Sequence, residues 1–501
     1  MSAPRKSWRL CMKNIIDVVL INPPNRQFEL GKAIMPPLGL AMVGRAIQLA
    51  GLSVKLLDCM AEQMTFADLE RFLQEITPGV IGLTGVTFNR FDSFDVARLA
   101  KRVHPATPII YGGIHATFTA QDTLQHIPEI DVIVRGEGEL TGPAVARALL
   151  DKADLASLPG ISYRDNGCMR DNDSRPPIRD LDALAYDVWD LLPPMARYDQ
   201  KLPFSNLPSA LMLTARGCPM FCSFCSTSVM WGPQYRHRSA KAVVDEIELL
   251  KARYGIQGIW FFDDTLNLNR KHITELCQEL LARKLDLKWY CEIRCNTSDR
   301  ALLELMQAAG CYYVSFGIES VSPRILQEIN KGITVAQIQQ VLRDTKALGL
   351  YTKAFYLIGL PDETVAEARL TLQFIRDHQA DISIHRLQCG VTILPGTQVE
   401  AYAKAHGYLA ADFSWAAPYY STDTLTLARD PYSPLLVQPQ LTYSDLRKLK
   451  YEYLQAAKEL FSWQRVRHVL KRLFSLEGIK RGYPQKYLRE IKDFVKWNLT
   501  K

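Results

Sequence analysis

No run of eighteen or more apolar residues occurs in this 501-residue chain, so no membrane-spanning helix is expected. The opening stretch, MSAPRKSWRLCMKN, is basic but lacks a long apolar core and a cleavage site, so no signal peptide is read there. The eleven cysteines lack the paired spacing of a disulfide framework, which points to a reducing compartment, the cytoplasm, and to oxygen sensitivity. No recognisable RNA-binding module is present, and no nucleic-acid partner is expected. With 48% hydrophobic and 23% charged residues the chain has the composition of an ordinary soluble globular protein, and its length allows two or three domains.

What is present is concentrated in one run, Arg216-Gly217-Cys218-Pro219-Met220-Phe221-Cys222-Ser223-Phe224-Cys225. A structural zinc site wants four ligands in two close pairs, and no second pair follows at a suitable distance. Cys291 and Cys295 come nearest, in a run that reads as a buried strand. Three thiolates spaced C-x3-C-x2-C hold three corners of a [4Fe-4S] cluster and leave the fourth iron open to another ligand. The string, with aromatic Phe224 before its last cysteine, resembles the signature of the radical SAM superfamily. That resemblance implies S-adenosylmethionine (SAM) on the open iron and cleavage of its sulfonium by an electron from the cluster. It also implies a low-potential donor such as flavodoxin or ferredoxin.

The first 150 residues alternate short β-rich runs (Ile16 to Asn22, Val54 to Asp58, Val80 to Thr84, Pro108 to Gly112, Asp131 to Val134) with helix-length segments (Leu38 to Ala50, Thr65 to Ile76, Ser93 to Val103, Ala120 to Ile127). This predicts a doubly wound, Rossmann-like parallel sheet, whose ligands bind at the carboxyl ends of the strands. Turn-like, glycine-bearing segments fall there: Gly85 with Thr87, Gly112-Gly113 with His115, and Gly136-Glu137. A glycine after a strand is by itself weak evidence, since any such domain needs tight turns. The ordered set Pro36-Pro37-Leu38-Gly39-Leu40, Leu57-Asp58, Gly112-Gly113-Ile114-His115-Ala116-Thr117 and Arg135-Gly136-Glu137-Gly138-Glu139 resembles the cobalamin-binding domain of B12-dependent radical SAM enzymes. Asp58, Gly85, Thr87, Gly112, Gly113, His115, Gly136 and Glu137 are the cobalamin contacts that the resemblance implies. Many cobalamin domains carry Asp-x-His-x-x-Gly, but here Met60 stands where that histidine would be. The departure fits a corrin with no histidine on its lower face. His115 is assigned to hydrogen bonding, not to cobalt.

Residues 151–204 read as a fixed, proline-rich linker. From Ser209 a strand–helix pattern of longer period returns. Strands are predicted at Leu211 to Ala215, Gly258 to Asp263, Lys288 to Arg294, Tyr312 to Gly317, Thr352 to Ile358 and Ile382 to Leu387, making a partial (β/α)6 barrel with its chemistry at the carboxyl ends. Asp263, Glu292, Arg294 and Glu319 close successive strands, and in the family this resembles they, with Phe224, surround SAM. Arg294 suits a carboxylate, whereas an acid at a helix start serves equally as an N-cap. The expected division is a cobalamin domain over 14–150, a linker over 151–204, a radical SAM core over 205–430 and a helical region over 431–501.

The positive charge belongs to the tail. From Leu446 to Lys501 fifteen Lys and Arg face five Asp and Glu, a net of +10, which leaves −3 on the other 445 residues. A helical cap with one solvated face is the favoured reading; peripheral contact with an anionic membrane or with an acidic substrate is the sharper one. Together the resemblances imply methylation of an unactivated carbon of a small molecule, through methylcobalamin and a 5'-deoxyadenosyl radical. Oxidative cyclisation without methyl transfer, as in the anaerobic magnesium-protoporphyrin ester cyclase, is the alternative. A cobalamin sensor is disfavoured by the intact cysteine triad. A tRNA methylthiotransferase is disfavoured because Cys11 and Cys59 are too few for a second cluster. The aromatic stretch Trp415 to Tyr420 suits a hydrophobic or planar substrate.

Overall fold

A computed structural model describes residues 14–25, 35–198, 201–205, 207–428 and 430–459. The aromatic and basic stretch 460–501, and with it most of the expected membrane contact, lies outside the described residues. The chain divides into two compact units, one built from residues up to 25, 36–176 and 184–194, the other mainly from 195 onward.

The first unit is organised by a seven-stranded sheet. β1 (Asn14–Asn22), β2 (Val54–Asp58), β3 (Ile76–Thr84), β4 (Ile109–Gly112) and β5 (Val132–Val134) are parallel, in the order β2-β1-β3-β4-β5. Strands covered on both faces read as continuous apolar runs, and Val18, Val19, Leu20 and Ile21 at the centre are at most 3% exposed. β3 starts at Ile76, four residues before the expected Val80, because Ile76 to Pro78 pair with Asn14 to Ile16 of β1. The strand order reverses between β1 and β3, which makes their carboxyl ends the crevice of the sheet. Residues 151–204, read as a linker, contribute β6 (Ile161–Asp165) and β7 (Cys168–Asp171), which extend this sheet antiparallel from β5.

The second unit is a six-stranded, all-parallel sheet: β8 (Ser209–Met212), β11 (Gly258–Phe261), β12 (Lys288–Ile293), β13 (Cys311–Glu319), β14 (Tyr351–Ile358) and β15 (Ile384–Cys389), in spatial order β8-β11-β12-β13-β14-β15. A small antiparallel pair, β9 (Ala215–Arg216) with β10 (Arg236–His237), stands above β8. The covering helices begin where polar side chains cap them: Ser239, Asn269, Asp299, Thr334 and Thr364 each accept a hydrogen bond from a backbone N–H in the first turn. The α/β class and the partial barrel after a Rossmann-like sheet are therefore as expected.

The amino end of the barrel is closed by aromatics. Trp260 stacks on Tyr290 at 4.9 Å, Tyr290 leans on Tyr313 at 5.1 Å, and Phe204 stacks on Tyr351 at 4.3 Å. Leu202 and Leu207 pack beneath them, so the end of the expected linker serves as the floor of the barrel. Beyond β15 the helix Tyr443–Glu459 buries Leu446 and Leu449, and its Tyr453 hydroxyl donates to the His385 carbonyl at 3.0 Å. This start of the basic region is a packed cap. Among the described residues no helix is long and apolar enough to cross a membrane.

Candidate active site

The loop between β9 and β10 carries the three cysteines. At its entry Gly217 has φ +97°, and a Cβ there would lie 2.0 Å from the Gln234 carbonyl, so only glycine lets the two arms approach. The loop is tied down by backbone bonds: Cys218 N–H donates to the Gly232 carbonyl at 3.3 Å, Ser223 N–H to Ile329 at 3.1 Å, and Cys225 N–H to Cys222 at 3.0 Å. Phe224 packs into the core formed by Ile325, Ile329, Leu360 and Val399, which fastens the loop. All three thiols are free and half-buried. Burial pushes Cys218 and Cys225 above the usual thiol range; Cys225 and Cys222 raise Cys218 further, and Asp264 and Cys222 raise Cys225. Among the described residues no set of three His, Cys, Asp or Glu side chains converges on a single metal ion.

Asp263, just past β11, is buried and braces this loop from below. Its Oδ1 accepts the N–H groups of Thr214 (2.8 Å) and Ala215 (2.6 Å), and its Oδ2 accepts the Thr214 hydroxyl (3.0 Å). Burial pushes its pKa up to about 7 against the lowering effect of those donors. The ends of β12 and β13 supply a second group. Glu319 is buried with φ +64° and pairs with Lys331 Nζ at 2.8 Å. Arg294 donates to the Lys331 carbonyl and to Asn296 Oδ1, and its charge is felt by Cys218. Glu319, Lys331 and Arg294 thus stand together near the cysteine loop. Lys331 escaped the sequence reading because nothing local marks a lysine that closes on a residue twelve positions earlier. Glu292, on the inner face of β12, borders this group: burial raises its pKa, Lys353 and Lys331 oppose the rise, and Asp264 and Glu319 add to it.

In the first unit the expected residues gather at the carboxyl edge. Asp58 is fully buried and closes its turn, accepting Asn22 Nδ2 at 2.8 Å and Ala61 N–H at 3.3 Å. Met60 follows it, half-buried. Gly85 and Gly113 pack so closely that a Cβ on Gly113, whose φ is +99°, would lie 3.1 Å from the Gly85 carbonyl. His115 is fully buried with Nδ1 3.2 Å from the Thr87 hydroxyl, and burial holds its pKa well below the usual imidazole range. It is an internal peg of the edge, in keeping with the hydrogen-bonding role expected for it. Gly136 N–H donates to Thr117 Oγ1 at 3.0 Å, and Glu137 precedes the helix Gly138–Leu150. Around these turns Val86, Phe88 and Leu140 are each nearly half exposed. Apolar side chains left open around glycine turns at the switch point of a parallel sheet fit the flat face of a corrin.

Two family models match the chain. The model of the radical SAM superfamily matches residues 212–375 and that of the B12 binding domain residues 31–146. An uncharacterized methyltransferase of Pyrococcus horikoshii is 32% identical over 444 residues, 86% of this chain and 95% of that protein. The chain belongs to the cobalamin-binding radical SAM family. It is an enzyme with the cofactors of that family: a [4Fe-4S] cluster, SAM and cobalamin. The anaerobic magnesium-protoporphyrin IX monomethyl ester cyclase of Rubrivivax gelatinosus is 32% identical over 355 residues, 70% of this chain and 63% of that protein. The fold is shared with the radical SAM methyltransferase TsrM of Kitasatospora setae (TM-score 0.68, 20% identity, 87% of this chain and 91% of that one). It is shared also with the cobalamin-dependent radical SAM enzyme OxsB (TM-score 0.69, 16% identity, 97% and 72%).

Proposed function

We propose that this enzyme transfers a methyl group from SAM to an unactivated carbon of a small molecule. The observation that carries this reading is its similarity to the Pyrococcus methyltransferase, which spans 95% of that protein, whereas only 63% of the Rubrivivax cyclase is covered. When bound, the cluster with SAM supplies a carbon-centred oxidant and cobalamin supplies a transferable methyl group. Cys218, Cys222 and Cys225 hold the cluster, and Phe224 and Asp263 keep their loop in place. Arg294 and Glu319, joined through Lys331, orient SAM at the strand ends. The edge residues Asp58, Gly85, Thr87, Gly112, Gly113, His115, Gly136 and Glu137 shape the seat for cobalamin. A low-potential donor such as flavodoxin or ferredoxin supplies the electron. The barrel wall excludes water and protects the substrate radical.

The test is anaerobic turnover of the cluster- and cobalamin-loaded protein with methyl-deuterated SAM and a metabolite extract. A deuterated methyl on a carbon skeleton, with both 5'-deoxyadenosine and S-adenosylhomocysteine, is expected. Deoxyadenosine coupled to an unlabelled, hydrogen-depleted product would replace this reading by oxidative cyclisation.

A further inference from the structure

The inner wall of the barrel continues from the SAM group down β14 and β15, past Glu292. Along β14 exposure alternates: Thr352, Ala354, Tyr356 and Ile358 lie against the helices at 1% or less, while Lys353, Phe355 and Leu357 on the other face are only half-buried. This partly open face is the one that Trp260, Tyr290 and Tyr313 share, the side of the sheet turned to the barrel interior. The register of the parallel strands shows what shares that face. Glu292 lies opposite Ser315, Ser315 opposite Lys353, and Phe355 opposite Arg386. Because residues two apart on a strand point the same way, Glu292, Lys353 and Arg386 belong to one wall. From strand spacing and rise, the Cα atoms of Lys353 and Arg386 are about 8 Å apart, so their long side chains can meet on one group.

The side chains of these three make no hydrogen bond or ion pair among the described residues. Lys353 rests its ammonium over the Phe355 ring at 4.1 Å, and Arg386 is open. Lys353 feels Glu292 and Arg386 electrostatically without bonding to either. A half-buried cation such as Lys353 with no carboxylate in contact is costly to fold unless a ligand or water meets it, and with the exposed guanidinium of Arg386 on the adjacent strand it attracts an anion. Lys353 and Arg386 lie before the SAM group along the strands: Lys353 pairs with Ser315, four residues short of Glu319, and Glu292 stands between them and the Glu319–Lys331 pair, whose charges it feels.

We propose that Lys353 and Arg386, with Glu292 opposite, recognise an anionic group of the substrate, a carboxylate or a phosphoryl group, within the barrel chamber. The proposal rests on the reading of this chamber as the place of reaction and narrows its substrate class. The substrate is amphipathic, with its anionic end on β14 and β15 and its apolar part over the aromatic floor. A wholly apolar lipid would bury both cations unpaired.

The test titrates SAM-loaded, cluster- and cobalamin-loaded protein anaerobically with phenylphosphonate, with benzoate and with neutral benzyl alcohol, by calorimetry. At least one anion is expected to bind and benzyl alcohol is not; the anion that binds identifies the group. The substitutions K353Q and R386Q are expected each to weaken that binding about tenfold or more, with R386K restoring part of it and SAM affinity changed less than about twofold. Absence of anion binding, or binding unaffected by either substitution, would overturn the proposal. A matching loss of SAM affinity would also overturn it and give the pair to SAM. Since no turnover is involved, the outcome is independent of the deuterated-methyl experiment, which decides methyl transfer by itself.

Discussion

Asp263 ties the turn ahead of the cysteine loop to the end of β11, and three donors depend on it. Removing the carboxylate leaves two buried N–H groups and a hydroxyl unpaired, and each unpaired buried donor costs about 1–3 kcal/mol. D263A is therefore expected to lower the unfolding free energy by roughly 2–4 kcal/mol in a denaturant titration, with D263N losing less because its amide oxygen still accepts. Cys222 presents the contrast. Its only side-chain bond is a long S–H contact to the Asn330 carbonyl at 3.7 Å. C222A is expected to leave the thermal midpoint of the cluster-free protein within a few degrees while abolishing cluster iron, measured by iron and sulfide analysis. The cysteine spacing was open to reading because all three lie within eight residues. The occupation of Asp263 was not, since Thr214 and Ala215 stand some fifty residues before it.

At the scale of elements, strand ends and helix starts carry the legible signals. Gly113 at φ +99° closes onto Gly85, and a Cβ on Gly85 would lie 2.6 Å from Ser93 Oγ and from the Tyr111 hydroxyl. G113A and G85A are each expected to cost about 1–3 kcal/mol and to weaken uptake of hydroxocobalamin, followed by its absorbance. The helix Val365–Asp377 begins in a capping box in which Glu367 bonds to Thr364 and pairs with Arg324. Arg324, then the Thr364 and Ser322 donors, hold the Glu367 carboxyl down at about 2, below its ordinary 4.5. The unfolded chain therefore takes up the proton first as pH falls. The stability contributed by Glu367 is full above pH 4.5 and is lost progressively toward pH 2. With Arg324 half-exposed, E367Q is expected to cost only about 1–2 kcal/mol at pH 7. That difference should vanish toward pH 2 in urea titrations run across the range. The cap is confined to Thr364-Val365-Ala366-Glu367, whereas its ion pair reaches back forty-three positions, beyond any local pattern.

For the whole molecule, the region beyond the barrel strands decides how the outer face of β15 is covered. Leu446 and Leu449 are at most 1% exposed in the helix Tyr443–Glu459. L446A is expected to destabilise the protein by about 2–5 kcal/mol, seen as a lower thermal midpoint, as for a core residue and unlike a residue of a solvated tail. The sequence by itself determined the chemistry of the cysteine triad and the two rounds of strand and helix. It also placed the glycine turns at the strand ends. These rest on spacing within ten or so residues, where covalent geometry limits the outcomes. Only the tertiary structure decided that β6 and β7 complete the first sheet, and that Leu202 and Leu207 floor the barrel. It alone joined Glu319 to Lys331 and set Glu292, Lys353 and Arg386 on one wall. Those outcomes depend on strand order and register, which long-range packing selects and no local pattern records.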